Sequence, residues 1–502
     1  MFPCFDEPAM KAKFTIQVIV LEKDGYKPIS NMPQQEYKII DGGTSHTFFE
    51  SVPMSTYLVA VIVSDFDHKF EQINGTKLAV YARPNAINQT DYALSVMYQL
   101  INFFEITYDQ KYPLSKLYMA ALPDFGSGAM ENWGLLTYRE TSMLYDENHS
   151  PITNQQDIRN VIAHEISHQW FGNLVSPLWW KYVWLNEGFA RYFEYHAPAR
   201  AFNDDTLISQ FVVDQVHSAF KADSSFSTHP MSHNVTTPHE IQNIFDTITY
   251  AKGGSILRMI EKTYGTDVFN EALIDYLNKR KYNFAIPDHL YESLQLKVDK
   301  KGLKDNVKVI LDKWTTQPGY PIVDVSITKD FIVMTQKRFF LKEYENALDD
   351  TIWHIPITWA LVQNSSDFNY FNTTPKLWLK EKLTIIKKPS DLPPESLLIF
   401  NNQQSGYYRV NYNEQHWMKL IDYLKNQDIE TIHEINRAAL IDDLMNLARA
   451  DYIDYKTVIS ATMYLEKENN YFPWRAFFNN LPYLNNRFAG RDNEGIYKVR
   501  ML

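Results

Sequence analysis

Along the first 64 residues, apolar and polar side chains alternate. Phe14, Ile16, Val18 and Val20 are spaced by Thr15 and Gln17, the period-two pattern of a half-buried strand. The run Tyr57-Leu58-Val59-Ala60-Val61-Ile62-Val63 is continuously apolar and predicts a buried strand. A turn-rich patch at Asn74-Gly75 then gives way, after Asp91, to helical periodicity, and helical segments dense in aromatic residues are expected from Tyr92 to Trp314. The break Gln317-Pro318-Gly319 restores alternation at Ile322, Val323, Val325, Ile327, Ile332 and Val333, and this second β region runs to Tyr407-Tyr408-Arg409-Val410. Beyond it Leu440, Leu444 and Leu447 fall at helical spacing, which predicts an amphipathic helix with Asp442 and Asp443 turned outward. The pattern predicts an α+β, multidomain chain with parts at residues 1–70, 71–318, 319–410 and 411–502.

Charge and cysteine usage narrow the function. A net charge of -11 removes the basic face that phosphate neutralisation requires, so nucleic acid is not an expected partner. Cys4 is the only cysteine and can form no intrachain disulfide. No apolar run approaches the roughly 20 residues that cross a bilayer, and the segment from Met1 to Pro8, with Asp6 and Glu7, does not read as a signal peptide. Asn-x-Ser/Thr sequons at Asn74, Asn88, Asn148, Asn234, Asn364 and Asn372 suit an extracellular surface, although Pro151 close behind Asn148 weakens that one.

The candidate chemistry lies at Val161-Ile162-Ala163-His164-Glu165-Ile166-Ser167-His168. From Ile152 to Phe171 there is no glycine or proline, and Thr153 with Gln156 has capping-box spacing, so one helix is predicted. Histidines four apart share a helix face, so both imidazoles can reach one Zn²⁺, with Glu165 beside its open position. The bland reading is a polar, solvated helix face. A catalytic zinc takes three protein ligands, and Glu187 in Trp184-Leu185-Asn186-Glu187-Gly188-Phe189 supplies a third from a second helix, expected to run to Pro198. Glu194, seven residues on, shares the Glu187 face and can orient a ligand histidine by a hydrogen bond.

Upstream stands Gly126-Ser127-Gly128-Ala129-Met130-Glu131-Asn132-Trp133-Gly134. Together with His164 to His168 and Glu187, this stretch resembles the M1 aminopeptidases, the gluzincin family of aminopeptidase N. Phe2-Pro3-Cys4-Phe5-Asp6-Glu7-Pro8, Trp170-Phe171-Gly172-Asn173, Phe245 to Gly253 and Gly406-Tyr407-Tyr408-Arg409 extend the likeness over essentially the whole chain. The wording is nearest to animal membrane forms, insect gut forms included. The resemblance implies a partial N-terminal β domain, a thermolysin-like catalytic domain, a β-sandwich and the start of a C-terminal helical domain. It further implies that most of the β domain precedes Phe2, that the helical domain continues past Leu502, and that a second amine-binding residue comes from the preceding part.

The same resemblance assigns one Zn²⁺ to His164, His168 and Glu187. It assigns the substrate's α-amino group to Glu131 within the substrate-binding stretch Gly128, Ala129, Met130, Glu131 and Asn132, and oxyanion stabilisation to Tyr250. A desolvated ammonium needs a carboxylate, which agrees with the role given to Glu131, and the Gly128-Ala129 backbone can pair with an extended peptide. Glu165 is the expected general base for the attacking water. Peptides with a free amino end are then the expected partners. The extracellular face of the plasma membrane is the expected location, with a cytoplasmic form as the alternative and membrane association only through regions outside this chain. Two other readings compete: an inactive binding or receptor-like chain, and a zinc epoxide hydrolase of the same fold, against which Ala129 argues.

Overall fold

The computed structural model describes residues 2–21, 25–342, 349–362, 372–390, 392–393 and 396–491. The Asn364 sequon lies outside them; Asn74, Asn88, Asn148, Asn234 and Asn372 are exposed. The chain divides into two compact units, neither continuous in sequence. The first comprises Met1–Ile208, Met231–Leu257 and Thr266–Leu311, and the second Ser209–Pro230, Arg258–Gly265 and Asp312–Leu502.

The first unit opens with the alternating segment as a strand, Gln17–Leu21, antiparallel to Gly43–Phe48. The next apolar run is not one strand. Thr56–Leu58 is a 3₁₀ turn, followed by Val61–Ser64 with Val61 and Val63 exposed. Asn31 explains the difference, because its side-chain amide donates to the Leu58 carbonyl and its oxygen accepts from Ala60 N–H, removing groups a ladder would use.

The centre of this unit is a five-stranded sheet in the order Asp67–Ile73, Thr76–Ala82, Lys116–Leu122, Leu135–Arg139 and Ala129–Met130. The first two form a hairpin around Asn74-Gly75, and the next two additions are parallel. Ala129–Met130 closes the edge antiparallel to Leu135–Arg139. Three helices matter for the site: α1 (Asp91–Thr107), α2 (Ile152–Ser167) and α3 (Trp184–Ala201). Each packs on the other two. Phe104 of α1 meets Trp170 at 5.1 Å and Phe193 of α3 at 5.3 Å between ring centroids, while Phe171 stacks on Phe189 at 4.4 Å. These fully buried rings pin the end of α2 to α3.

Two helix ends differ from the sequence pattern. Pro151 caps α2 with φ -66° and no side-chain cap bond forms, so Thr153 falls inside the first turn and the expected capping box is absent. Pro198 does not end α3. Ala197, Pro198 and Ala199 are all buried, and the Pro198 carbonyl accepts from Phe202 N–H, so packing offsets the one donor that proline lacks.

The second unit contains a four-stranded sheet ordered Leu383–Lys387, Phe331–Arg338, Pro321–Ile327 and Arg409–Tyr412, then helices from Glu414 to Phe488. Here Asp442 and Asp443 are buried, not outward. Arg409, itself 1% exposed, draws both in, donating from Nη1 to Asp442 at 2.7 Å and to Asp443 at 2.8 Å. Its guanidinium lies 4.7 Å from the Phe220 ring. An uncompensated pair of buried carboxylates is costly, so Arg409→Met should remove about 3–5 kcal/mol from the unfolding free energy, read by chemical denaturation. A loss under about 1 kcal/mol would mean the pair is solvated and merely local.

Candidate active site

The end of α2 and the start of α3 bring their polar residues into one cleft of about 660 Å³, whose walls include Gly128, Ala129, Met130, Glu131, His164, Glu165, His168, Glu187 and Tyr250. His164 Nε2 lies 3.2 Å and His168 Nε2 3.3 Å from the same oxygen, Oε2 of Glu187. The ligand atoms of these three residues all fall within 4.8 Å of one another. Glu131, Glu165 and His168 form a second group meeting the same limit.

The ring orientations are fixed from behind. His168 Nδ1 lies 3.1 Å from the Phe171 carbonyl, which can only accept, so Nδ1 carries a proton and Nε2 is turned to the cleft. His164 Nδ1 lies 3.0 Å from Glu194 Oε2, with the same consequence, and Arg191 holds the other Glu194 oxygen at 2.7 Å. Two imidazole Nε2 atoms and a carboxylate oxygen converging at this spacing form a donor set suited to a divalent metal ion once the Nε2 protons are displaced.

Electrostatics point the same way. Burial leads in pushing the Glu165 carboxyl up to about 8, and with Glu187 it also raises Glu131. Burial would depress the imidazoles, but the carboxylates outweigh it: Glu187 and Glu194 hold His164 at about 9, and Glu187 and Glu131 hold His168 at about 10. Burial also disfavours the Glu187 anion, yet the two histidines beside it keep its carboxyl well below the usual range. The Tyr250 phenol is raised well above its ordinary value, by burial first and then by Glu187, Glu131 and Glu165, so it remains a proton donor. Glu165 Oε2 is buried with no hydrogen-bond partner among the described residues. A cleft this rich in buried carboxyl groups is suited to a cation.

Of the expected residues, Asn132 alone has its side chain outside the cleft wall. It accepts from Thr137 Oγ1 at 3.0 Å and donates to the Leu58 carbonyl at 3.4 Å, bracing the loop that carries Glu131. The structure adds Tyr57, Trp180, Asn186, Arg191 and Phe245 to the cleft. Tyr57 arises in an apolar run that reads as core, so no spacing revealed it. Arg191 was findable, because it stands four residues after Glu187 on α3.

Comparison with known proteins gives the family. Residues 92–314 match the peptidase family M1 domain, 1–58 the peptidase M1 N-terminal domain and 397–500 the ERAP1-like C-terminal domain. The chain belongs to peptidase family M1. Its relatives include aminopeptidase A of Gloydius brevicauda, 39% identical over 94% of this chain and 49% of that protein. Aminopeptidase Ey of Gallus gallus is 39% identical over 96% of the chain and 50% of that protein, and aminopeptidase N of Mus musculus gives the same three figures. The chain thus spans about half the length of the curated relatives it matches. Of the residues expected at the site from the sequence, Gly128, Ala129, Met130, Glu131, His164, Glu165, His168, Glu187, Glu194 and Tyr250 line the one cleft, and Asn132 does not.

The M1 cleft depends on a close crossing at Gly188 and Gly253. A Cβ on Gly253 would lie 2.9 Å from the Gly188 Cα, next to Glu187 on one side and three residues after Tyr250 on the other. Gly253→Ala should therefore cost about 1–3 kcal/mol and weaken divalent-cation binding, measured by thermal unfolding and calorimetric titration. Unchanged values for both would mean the crossing has slack.

Proposed function

We propose that this chain carries the catalytic machinery of a zinc aminopeptidase, which hydrolyses the first peptide bond of peptides with a free amino end. The supporting observation is the Glu131 carboxylate, 6% exposed and within 4.8 Å of ligating atoms of Glu165 and His168. A buried carboxylate beside a cation site favours a substrate ammonium there, and only a chain end supplies one next to a scissile bond.

His164, His168 and Glu187 would hold one Zn²⁺, and Glu194 and Arg191 would keep His164 oriented. When bound, the ion supplies Lewis acidity toward the scissile carbonyl and acidifies water. Glu165 takes the proton of the attacking water and delivers it to the leaving amine, from a place in the cleft wall beside His164 and His168. The Tyr250 phenol donates to the oxygen on which negative charge develops. Ala129–Met130 is the sheet's edge strand, paired on one side only, so its other side offers backbone groups to an extended peptide. Glu131 then receives the α-ammonium, which limits the cut to a single residue.

An extracellular location is part of this proposal and is supported by the exposed sequons. Among the described residues no helix is long and apolar enough to cross a membrane.

The test is Glu165→Gln. Turnover of an aminoacyl chromogenic substrate should fall by at least about a thousand-fold while one zinc per chain is retained by elemental analysis. Activity within about ten-fold of the parent would remove Glu165 as the base.

A further inference from the structure

The stretch Trp170-Phe171-Gly172-Asn173 follows the metal helix directly, and nothing in the proposed chemistry uses it. Its backbone and side chains nevertheless touch both ends of the site. The Phe171 carbonyl accepts from His168 Nδ1. Gly172, at φ +143°, lies where a Cβ would come within 3.1 Å of His168 Nδ1 and 3.2 Å of Asn186 Nδ2, so a side chain there would be strained and would crowd His168 and the residue preceding Glu187.

Asn173 reaches the other way. It is 0% exposed, and its Nδ2 donates to the backbone carbonyl of Glu131 at 2.8 Å. Gln169, also 0% exposed and adjacent to His168, donates from Nε2 to the same carbonyl at 3.4 Å and to the Glu165 carbonyl at 3.0 Å. The Asn173 main chain is itself tied down: its N–H donates to the His168 carbonyl at 2.9 Å, and Lys11 Nζ donates to its carbonyl at 2.9 Å. Glu131 sits in the short connection between the edge strand Ala129–Met130 and Leu135–Arg139. Asn132 braces that connection against Thr137 and Leu58, while Gln169 and Asn173 hydrogen-bond it to the segment that follows His164 and His168.

We propose that Asn173, assisted by Gln169, is a positioning residue that sets the distance from the amine anchor Glu131 to the metal centre, and so determines how far from the amino end the chain is cut. The proposal rests on the aminopeptidase reading. Two buried amides on one carbonyl hold a backbone in place without adding charge to the cleft and without engaging the carboxylate of Glu131. Freeing that carbonyl lets the anchor drift relative to the metal, and a drift near 1 Å is enough to lose the benefit of orientation.

The test uses binding, which does not depend on turnover. Zinc-loaded parent, Asn173→Ala, Glu131→Gln and the double variant are titrated calorimetrically with leucine hydroxamate and with its des-amino counterpart, isocaproyl hydroxamate. Both ligands have the same metal-seeking group, and only the first has the α-amine. Parent protein should prefer the amine-bearing ligand. Asn173→Ala should reduce that preference by about ten-fold, and in the Glu131→Gln background it should reduce it no further. Gln169→Met, close in volume, should give a smaller loss in the same direction and serves if Asn173→Ala does not fold. Equal weakening of both ligands, or an undiminished preference in the folded variants, would overturn the positioning role while leaving the amine anchor intact. No preference in the parent protein would overturn the amine-anchor reading and this inference with it.

Discussion

The site depends on one constraint, the burial of three carboxylates around two imidazoles. Glu131, Glu165 and Glu187 are each 6% exposed. Such a cluster is stable only if its negative charge is offset, whether by protons on the carboxyls and on His164 and His168 or by a metal ion. The Nδ1 atoms of both histidines are already committed to acceptors, so their Nε2 atoms face the carboxylates. Most of the surrounding fold serves to hold this unfavourable charge arrangement in place.

The supports come from different levels of structure. Aromatic packing among Phe104, Trp170, Phe171, Phe189 and Phe193 fixes α2 against α3, and with them His168 against Glu187. The close approach of Gly188 and Gly253 brings the segment carrying Tyr250 next to Glu187. The edge strand and the loop after it present Glu131, and buried amides tie that loop to the end of α2. Rigid packing, backbone proximity and hydrogen bonding each control one coordinate of the site, an arrangement suited to chemistry that needs sub-ångström placement.

The sequence picked out most of the residues that meet in the cleft and less of the architecture. His164, Glu165 and His168 were legible because four-residue spacing on a helix forces two rings to one side, and Glu187 and Glu194 were legible from their shared face. Tyr57 was hidden because a tyrosine in an apolar run looks like core, and its place in the cleft depends on a 3₁₀ turn that Asn31 imposes from 26 positions earlier in the chain. Asp442 and Asp443 were misread as solvated for a related reason: their partner Arg409 lies in a strand of another element. Pro198 read as a helix end, but burial of its neighbours outweighed local propensity. Local periodicity registers contacts within about one helical turn; each of these depends on a contact from much farther along the chain.

The central claim is that a metal ion and the Glu131 carboxylate together select a free amino end. The most direct measurement compares release of a chromogenic amine from an aminoacyl substrate and from its N-acetylated form, with and without a zinc chelator. The account predicts chelator-sensitive release from the free substrate and almost none from the acetylated one. Comparable release from both, or release that survives complete removal of the metal, would contradict it.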